Sequence, residues 1–244
     1  MAEQHPADES LAAQVKRHVW YHTFDLGNGV VTQGFFDHRP IMDRIMLPPD
    51  LSGLRCLDVG TMDGYWAFEM EKRGAEEVMA VDIEDPEALD WPASLREKVV
   101  KTVDIHKAER FGLVHSLLDS KVTRVLRSIY DLDIDLGTFD LVFCGDVLLH
   151  LKDPVTALEK MRRVCRGSAI VYTPIVRLPL YRRAALAVFD GIDEFRWWLP
   201  TEVTLERMLL AAGFASVDIG TAFPLRLQSG GSNKGLRGVM RAHV

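Results

Sequence analysis

The chain has 244 residues, of which 48% are hydrophobic and 26% charged, so it can bury a full core and is not a disordered polypeptide. Its length suits one α/β domain with a short appendage. The formal net charge of −6 gives no general electrostatic attraction to nucleic acid, and this argues against a nucleic-acid partner.

The same composition indicates a cytoplasmic setting. No apolar run reaches the roughly 18 residues that a membrane span needs, so we expect no membrane contact. The first ten residues, MAEQHPADES, lack the apolar segment of a signal peptide. The three cysteines, Cys56, Cys144 and Cys165, are odd in number and widely spaced. This pattern favours reduced thiols over a disulfide or a metal site.

The chain begins with a prefix that we expect to form a helix and an aromatic cap over residues 1–46. Helical spacing covers residues 10–19, and Asn28-Gly29 is typical of a hairpin turn. Aromatic residues are concentrated in residues 20–36, and this segment can form one wall of a substrate pocket or simply a satellite core. The substrate-binding candidates in it are Trp20, Tyr21, Thr32 and Phe35, with His22 as a polar anchor.

A buried strand, a glycine turn and a helix follow within LRCLDVGTMDGYW, residues 54–66. Gly60 lets the backbone turn sharply, and Gly64 allows close approach of a ligand at the helix start. Met62 stands where the dinucleotide fingerprint has its second glycine, which argues against NAD or FAD. The alternative is a strand, turn and helix that bind no ligand.

A second predicted strand in EEVMAVDIED ends at Asp82, which lies 24 residues after Asp58. An acid at this position can accept hydrogen bonds from both hydroxyls of a ribose. Residues 86–106 look irregular, and further strands are expected over residues 122–132 and 167–175. Residues 137–154 should form the fourth strand and its loop, because residues 139–143 are nearly all apolar.

The C-terminal part contains an insertion, a capped helix and two closing strands. We expect the insertion at residues 177–200, which contains Trp197, to be helical, and the helix of residues 201–214 to follow it. The loop SGGSN, residues 229–233, would join the closing strands in antiparallel fashion. The whole pattern predicts an α/β fold with a seven-stranded, mostly parallel, Rossmann-like sheet, a reversed last strand, and helices on both faces.

Four segments resemble the class I S-adenosylmethionine (SAM)-dependent methyltransferases: LDVGTMDGYWAFEM, AVDIED, FDLVFCGDVLLHLKDP and WWLPTEVTLERMLLAAGF. Within that class, DVG-x₃-GY and VLLH-x₂-DP resemble the branch of the tRNA wobble-uridine carboxymethyltransferases and their small stand-alone relatives. The resemblance covers about residues 20–220. It implies that residues 47–244 form a SAM-binding methyltransferase domain whose product is S-adenosylhomocysteine (SAH).

The resemblance also implies which residues hold the cofactor. The methionyl end would meet the glycine turn and the ribose the second strand, with adenine and sulfonium at the turns after the third and fourth strands. The implied residues are Asp58, Gly60, Thr61, Met62, Gly64, Tyr65, Asp82, Ile83, Ile129, Tyr130, Asp131, Cys144, Gly145 and Asp146.

Two departures from the tRNA enzymes bear on the donor and the acceptor. Those enzymes carry a tyrosine, which helps to recognise a carboxylated SAM, where this chain has Leu149. Their K-G-P-F segment is also absent, with VTQGFF as the nearest text. Both departures favour ordinary SAM, and with the acidic charge they disfavour tRNA as the substrate.

Methyl transfer to a hydroxyl benefits from a base with a pKa near neutrality. The first candidate is His150, in the loop after the fourth strand, and the second is His22. Either histidine can instead be purely structural. We expect a methyltransferase that acts on a hydroxyl of a small molecule. The alternatives are a tRNA-modifying transferase and a SAM-binding protein without catalysis.

Overall fold

A computed structural model of the protein describes residues 10–100, 106–181, 183–191, 195–228 and 235–244. The described helices are α1 (Leu11–Lys16), α2 (Tyr65–Lys72), α3 (Ala93–Val100), α4 (Lys107–Leu117), α5 (Pro154–Val164) and α6 (Glu202–Ala211). The described strands are β1 (Trp20–His22), β2 (Gly34–Phe36), β3 (Arg55–Val59), β4 (Glu77–Asp82), β5 (Thr123–Leu126), β6 (Phe139–Gly145), β7 (Cys165–Pro174), β8 (Ala187–Phe189), β9 (Trp198–Pro200), β10 (Ser216–Ile219), β11 (Phe223–Pro224) and β12 (Leu236–His243).

The central sheet has the strand order β10-β12-β7-β6-β3-β4-β5, and β11 also pairs with β12. The β7-β6, β6-β3, β3-β4 and β4-β5 pairs are parallel, whereas β12 is antiparallel to its neighbours β7 and β10. This arrangement confirms the predicted α/β fold with a reversed last strand. The predicted loop SGGSN lies outside the described residues.

Both faces of the sheet are covered, which explains why its central strands are almost continuously apolar. Successive side chains of a strand point to opposite faces. In β6, Leu141 and Phe143 accordingly join a core with α2 and the prefix. Val142 and Cys144 instead join a second core with α5 and α6.

Helix ends follow the predicted capping signals. The side chain of Asp153 accepts a hydrogen bond from the Thr156 amide at 3.0 Å, and Pro154 is the first residue of α5. Thr201 caps α6 in the same way, and Gly213 follows that helix with φ +97°. None of the described helices exceeds 11 residues, so none is long enough to cross a bilayer.

Several predicted elements were wrong in type or extent. The insertion contains no α-helix where it is described: a short 3₁₀ helix covers Pro179–Tyr181, and β8 and β9 form a two-stranded antiparallel sheet with Phe189 packed on Trp198. The third strand ends at Leu126, and a 3₁₀ turn occupies Ile129–Asp131. The region expected to be irregular contains α3. A 3₁₀ helix covers Arg39–Arg44 near the end of the prefix.

The prefix makes a tight turn, but its two strands pair in parallel. The amide of Leu26 bonds to the carbonyl of Val30 around the Asn28 turn, as a hairpin requires. Beyond that turn the chain crosses over, so that His22 of β1 pairs with Phe36 of β2 in parallel register. Trp20 and Phe24 are buried in the core shared with α2, which anchors the prefix to the sheet.

We expect Gly34→Ala to lower the free energy of unfolding by about 1–3 kcal/mol, the usual cost of overpacking. A Cβ at Gly34 would overlap the backbone carbonyl of His22 and lie 2.6 Å from the Thr23 nitrogen. Backbone atoms cannot rotate away as a side chain would. Gly112→Ala is the matched control, because Gly112 lies within α4 and its added Cβ would meet no atom within 4 Å. Urea denaturation of both variants tests this, and equal stabilities would contradict it.

Candidate active site

A cavity of about 260 Å³ opens at the carboxyl ends of the central strands. Gly60 follows β3, Asp82 ends β4, and Asp146 follows β6, and all three line it. The strand order reverses between β3 and β6, which is where open α/β sheets bind their ligands. Chain topology therefore brings residues from well-separated segments to one site.

The glycine turn is held in a left-handed conformation at several points. Gly60, Met62 and Gly64 have φ values of +76°, +52° and +92°. A Cβ at Gly60 would lie 2.5 Å from Cγ2 of Val147, which itself lines the cavity. The expectation that Gly64 makes room for a ligand was wrong, because a Cβ there would lie 2.7 Å from the ring of Phe111 and overlap other core atoms.

Asp82 sits at the centre of a buried polar cluster at the end of β4. Its Oδ2 accepts the Met62 amide and its Oδ1 the Ile83 amide, each at 2.7 Å. The ammonium of Lys107, the first residue of α4, forms an ion pair with the same carboxylate. Asp82 and Lys107 are both only 7% exposed. Asp82 is thus largely buried, although it lines the cavity.

The end of the cavity beyond β5 is aromatic and apolar. The Tyr130 hydroxyl donates to Asp90 Oδ2 at 2.7 Å, and the Lys152 amide donates to the same oxygen at 2.9 Å. Burial raises the pKa of the Tyr130 hydroxyl, which keeps it protonated and able to donate. Phe195 of the insertion stacks on Trp91 with ring centroids 3.7 Å apart, and both rings line the cavity.

At the opposite end, β1 places two side chains of the prefix on the cavity wall. Tyr21 and His22 both line the cavity. The imidazole Nδ1 of His22 contacts Oδ1 of Asp63, and the amides of Tyr21 and His22 donate to Oδ2 at 3.0 and 2.9 Å. Asp63 is fully buried. Because Nδ1 contacts Asp63, Nε2 is the ring nitrogen of His22 that this carboxylate does not engage.

Asp146 also lies at this end of the cavity, and its negative charge is balanced by an arginine of β12, the last strand in the chain. Arg237 of β12 approaches the Asp146 carboxylate at 3.1 Å and donates to the carbonyls of Leu225 and Gly235. Burial raises the pKa of the Asp146 carboxyl, and the adjacent guanidinium opposes that shift. Burial and the charge of Asp146 together raise the pKa of the Tyr21 hydroxyl, so that group stays a donor.

His150 lines the cavity near the insertion rather than beside the prefix. Its Nδ1 contacts the carbonyl of Phe195, and the two rings stack with centroids 4.5 Å apart. Enclosure in this apolar contact lowers the pKa of His150 to about 4, although the Phe195 carbonyl partly offsets the shift. The imidazole is therefore neutral at physiological pH and only weakly basic.

The cavity gathers many of the residues that the sequence indicated. Those that line it are Tyr21, His22, Gly60, Met62, Asp82, Ile83, Ile129, Tyr130, Gly145, Asp146 and His150. The cofactor candidates that do not line it are Asp58, Thr61, Gly64, Tyr65, Asp131 and Cys144. Asp58, Thr61 and Cys144 are buried in the fold, Tyr65 stacks behind His22 in α2, and Asp131 is exposed.

Four substrate candidates also lie off the cavity. The indole of Trp20 donates to the Val15 carbonyl at 2.9 Å within the core. Thr32 bridges the Phe24 amide and the His22 carbonyl inside the prefix. Phe35 is 44% exposed. The Trp197 indole donates to the Asp90 carbonyl, so it supports the wall from behind.

Sequence reasoning missed five residues that build the site: Asp63, Asp90, Trp91, Lys107 and Phe195. Asp63 stands inside the recognised glycine turn, but no local pattern connects it with the prefix. Lys107, as a cation near the start of a helix, resembles many solvated lysines. Phe195 is an apolar residue of an insertion, and no motif around it indicates that it lies at the site.

A family model described as a methyltransferase domain matches residues 36–219 of the chain. The chain belongs to this methyltransferase family. With the strand order described above it is a class I methyltransferase, and enzymes of that class take their methyl group from SAM.

The methyltransferase is similar in sequence to tRNA U34 carboxymethyltransferases. It is 30% identical over 171 residues to the enzyme of Stutzerimonas stutzeri and 29% identical over 171 residues to that of Pseudomonas syringae pv. tomato. Each alignment covers 69% of this chain and 47% of the relative. The chain thus spans about half the length of these curated relatives.

Solved structures share the fold at low identity. The N-terminal domain of EvdMO1, crystallised with SAH, superposes with a TM-score of 0.63 at 16% identity, covering 96% of this chain and 95% of that domain. Magnesium protoporphyrin IX methyltransferase from Synechocystis PCC 6803, with bound SAH, gives a TM-score of 0.52 at 16% identity, covering 79% and 75% of the two chains.

The residues of the cavity fit a SAM molecule in their chemistry. Asp82 is a strand-end carboxylate suited to ribose hydroxyls, and Gly60 leaves its side of the turn without a side chain. Trp91, Ile129 and Phe195 offer apolar faces for a purine ring. Lys107 is an additional donor beside Asp82 and can bond to a ribose oxygen without leaving the carboxylate.

We expect Asp82→Ala to lower the free energy of unfolding by about 3–5 kcal/mol, because it leaves the buried Lys107 ammonium without a partner. SAM affinity should also fall at least about tenfold, because charge-assisted hydrogen bonds are lost. The double variant Asp82→Ala, Lys107→Met should recover most of the stability but not the affinity. Urea denaturation and calorimetry separate the two effects. SAM affinity close to wild type in the double variant would contradict a role of Asp82 in binding.

Asp58 should make stability depend on pH. Burial raises its pKa to about 7 in the folded protein, whereas an unfolded aspartate titrates near 3.9. The folded state then binds the extra proton, so this contribution to stability is complete below pH 4 and is lost as pH rises to about 7. We expect Asp58→Asn to remove this decline. Urea denaturation at pH 5 and pH 8 tests it, and identical pH dependence in variant and wild type would contradict it.

Proposed function

We propose that this methyltransferase transfers a methyl group from SAM to a hydroxyl of a small molecule, with His22 as the general base. One observation carries the proposal. His22 lies on the wall of the cavity that Gly60 and Asp82 also line, and its Nδ1 is held by the buried carboxylate of Asp63. A base oriented by a third group is a recurring arrangement in acid–base catalysis.

SAM, when bound, supplies a methyl carbon already activated by a sulfonium. The chain's own residues then have three tasks: to align the acceptor, to exclude water and to accept a proton. Nε2 of His22 would take the proton of the acceptor hydroxyl, while Asp63 stabilises the resulting imidazolium. Tyr21, which stays protonated beside Asp146, can donate a hydrogen bond that fixes the acceptor.

His22 is better suited than His150 to act as the base. The pKa of His150 is lowered to about 4, so at neutral pH it has little affinity for the acceptor's proton. His22 instead has its Nδ1 held by the carboxylate of Asp63, which fixes the orientation of the ring. This reverses the order in which the sequence ranked the two histidines.

The charges around the cavity support a donor that transfers an uncharged methyl group rather than a negatively charged carboxymethyl group. A carboxymethyl donor brings an extra carboxylate, which needs a cation at the methyl end. Among the described residues at that end, Arg237 is 4% exposed and is held by Asp146 and two carbonyls. The two cations that line the cavity, Lys107 and Arg127, pair with Asp82 and Asp135.

The shape of the site supports a small acceptor. The prefix closes one end through Tyr21 and His22, and the insertion covers the other through Phe195. A mainly apolar cavity with a few polar groups is typical of small-molecule sites. A nucleotide of a folded RNA would need an open approach lined by basic residues.

A second candidate, modification of the tRNA wobble position, is favoured by the 29–30% identity to tRNA U34 carboxymethyltransferases. Incubation with methyl-labelled SAM and separate pools of metabolites and tRNA distinguishes the candidates. Label in the metabolite pool supports the proposal, and label confined to tRNA supports the second candidate. No transfer to either pool would favour a SAM-binding protein without catalysis.

With the acceptor that this screen identifies, we expect His22→Gln to lower kcat by about 10²–10⁴-fold, the usual contribution of a general base. SAH affinity should stay near that of the wild type, because His22 would not contribute to cofactor binding. His150→Gln is the competing variant and His243→Gln the matched surface control, since His243 pairs with Asp218 away from the cavity. A larger loss of kcat in His150→Gln than in His22→Gln would reverse the assignment.

A further inference from the structure

Asp63 connects two parts of the molecule that have different tasks. It belongs to the glycine turn of residues 60–64, yet both of its oxygens serve the prefix. Oδ2 accepts the amides of Tyr21 and His22 at 3.0 and 2.9 Å, and Oδ1 contacts Nδ1 of His22. The carboxylate is fully buried, so no solvent competes for these donors.

The turn that carries Asp63 is itself tied to the sheet. The amide of Gly60 donates to the Val81 carbonyl at 2.9 Å, and the amide of Gly64 closes the turn onto the Thr61 carbonyl at 2.8 Å. The neighbouring residue, Met62, donates its amide to Asp82. Two adjacent residues of the turn therefore make different contacts. Met62 contacts Asp82, the carboxylate suited to a ribose, and Asp63 contacts β1, the strand that carries His22.

Within the described part of the chain, no other hydrogen bond joins residues 20–36 to the turn of residues 60–64. The remaining attachments of the prefix lead elsewhere. Trp20 and Phe24 pack into the core, β1 pairs with β2, and Thr23 accepts a hydrogen bond from Gln228. The hydrogen bonds between β1 and the turn thus all go to a single carboxylate, and His22 also stacks on Tyr65 at the start of α2.

We propose that Asp63 is a positioning residue that couples the two halves of the site. When a ligand orders the glycine turn, the hydrogen bonds of Asp63 fix β1 and so place Tyr21 and His22 for the acceptor. The proposal rests on the proposed function only for the role of these two side chains. The coupling itself concerns the backbone, and it can be observed with the demethylated cofactor alone.

Hydrogen exchange measured with and without SAH tests the coupling without any acceptor. In the wild type, SAH should slow exchange both in the glycine turn and α2 and in β1, because the Tyr21 and His22 amides are hydrogen-bonded to the turn. In Asp63→Asn, an amide group replaces one acceptor oxygen. SAH should then still protect the turn but no longer protect β1.

Asp25→Asn is the matched control, because Asp25 caps the Gly27 amide at the far end of the prefix, and it should behave as the wild type. Equal SAH-induced protection of β1 in Asp63→Asn and wild type would overturn the proposal. The wild-type protein alone can also overturn the proposal: SAH would then slow hydrogen exchange in the turn but leave exchange in β1 unchanged. Asp63→Ser, which keeps one small acceptor, replaces Asp63→Asn if that variant does not fold.

Kinetics distinguish a failed coupling from a failed assignment of the base. Once the acceptor has been identified, both Asp63→Asn and His22→Gln should lower kcat with little change in the KM for SAM. If β1 loses its protection in Asp63→Asn while His22→Gln retains full turnover, the coupling stands and the base assignment fails. If His22→Gln is inactive while β1 stays protected, the base assignment stands and the coupling fails.

Discussion

The carboxylate of Asp63 is the interaction on which the geometry of the cavity depends. Three donors of the prefix converge on it, and its burial makes them costly to separate. Without it, β1 would keep its packing through Trp20 and the stacking of His22 on Tyr65, but it would have no hydrogen bond to the glycine turn. The wall of the cavity and the turn that faces the cofactor are therefore parts of one rigid unit.

Two buried carboxylates that line the cavity each have a cationic partner on another element. Asp82 of β4 meets Lys107 of α4, and Asp146 after β6 meets Arg237 of β12. Such pairs are poor sources of stability but leave little net field inside the cavity. A neutral apolar interior suits a reaction in which the positive charge of the donor is lost at the moment of transfer.

The sequence predicted the parts of the site that depend on local patterns. The glycine turn, the strand-end Asp82 and the succession of strands and helices all follow from hydrophobic periodicity and from glycine and proline positions within short windows. The sequence did not reveal side chains that meet across large separations, such as His22 with Asp63 across 41 residues or Asp146 with Arg237 across 91 residues. The helical reading of the insertion failed for a related reason: its aromatic residues are equally consistent with a small sheet.

The position of β12 has a consequence for the order of assembly. β12 lies between β7 and β10, so β10 is synthesised first but cannot join the sheet until residues 236–243 have emerged. The counter-charge of Asp146 arrives with the same strand. On a chain that folds as it is made, the cofactor turn and the first five strands of the central sheet can assemble early. The ion pair between Asp146 and Arg237 forms only when the reversed strand is inserted.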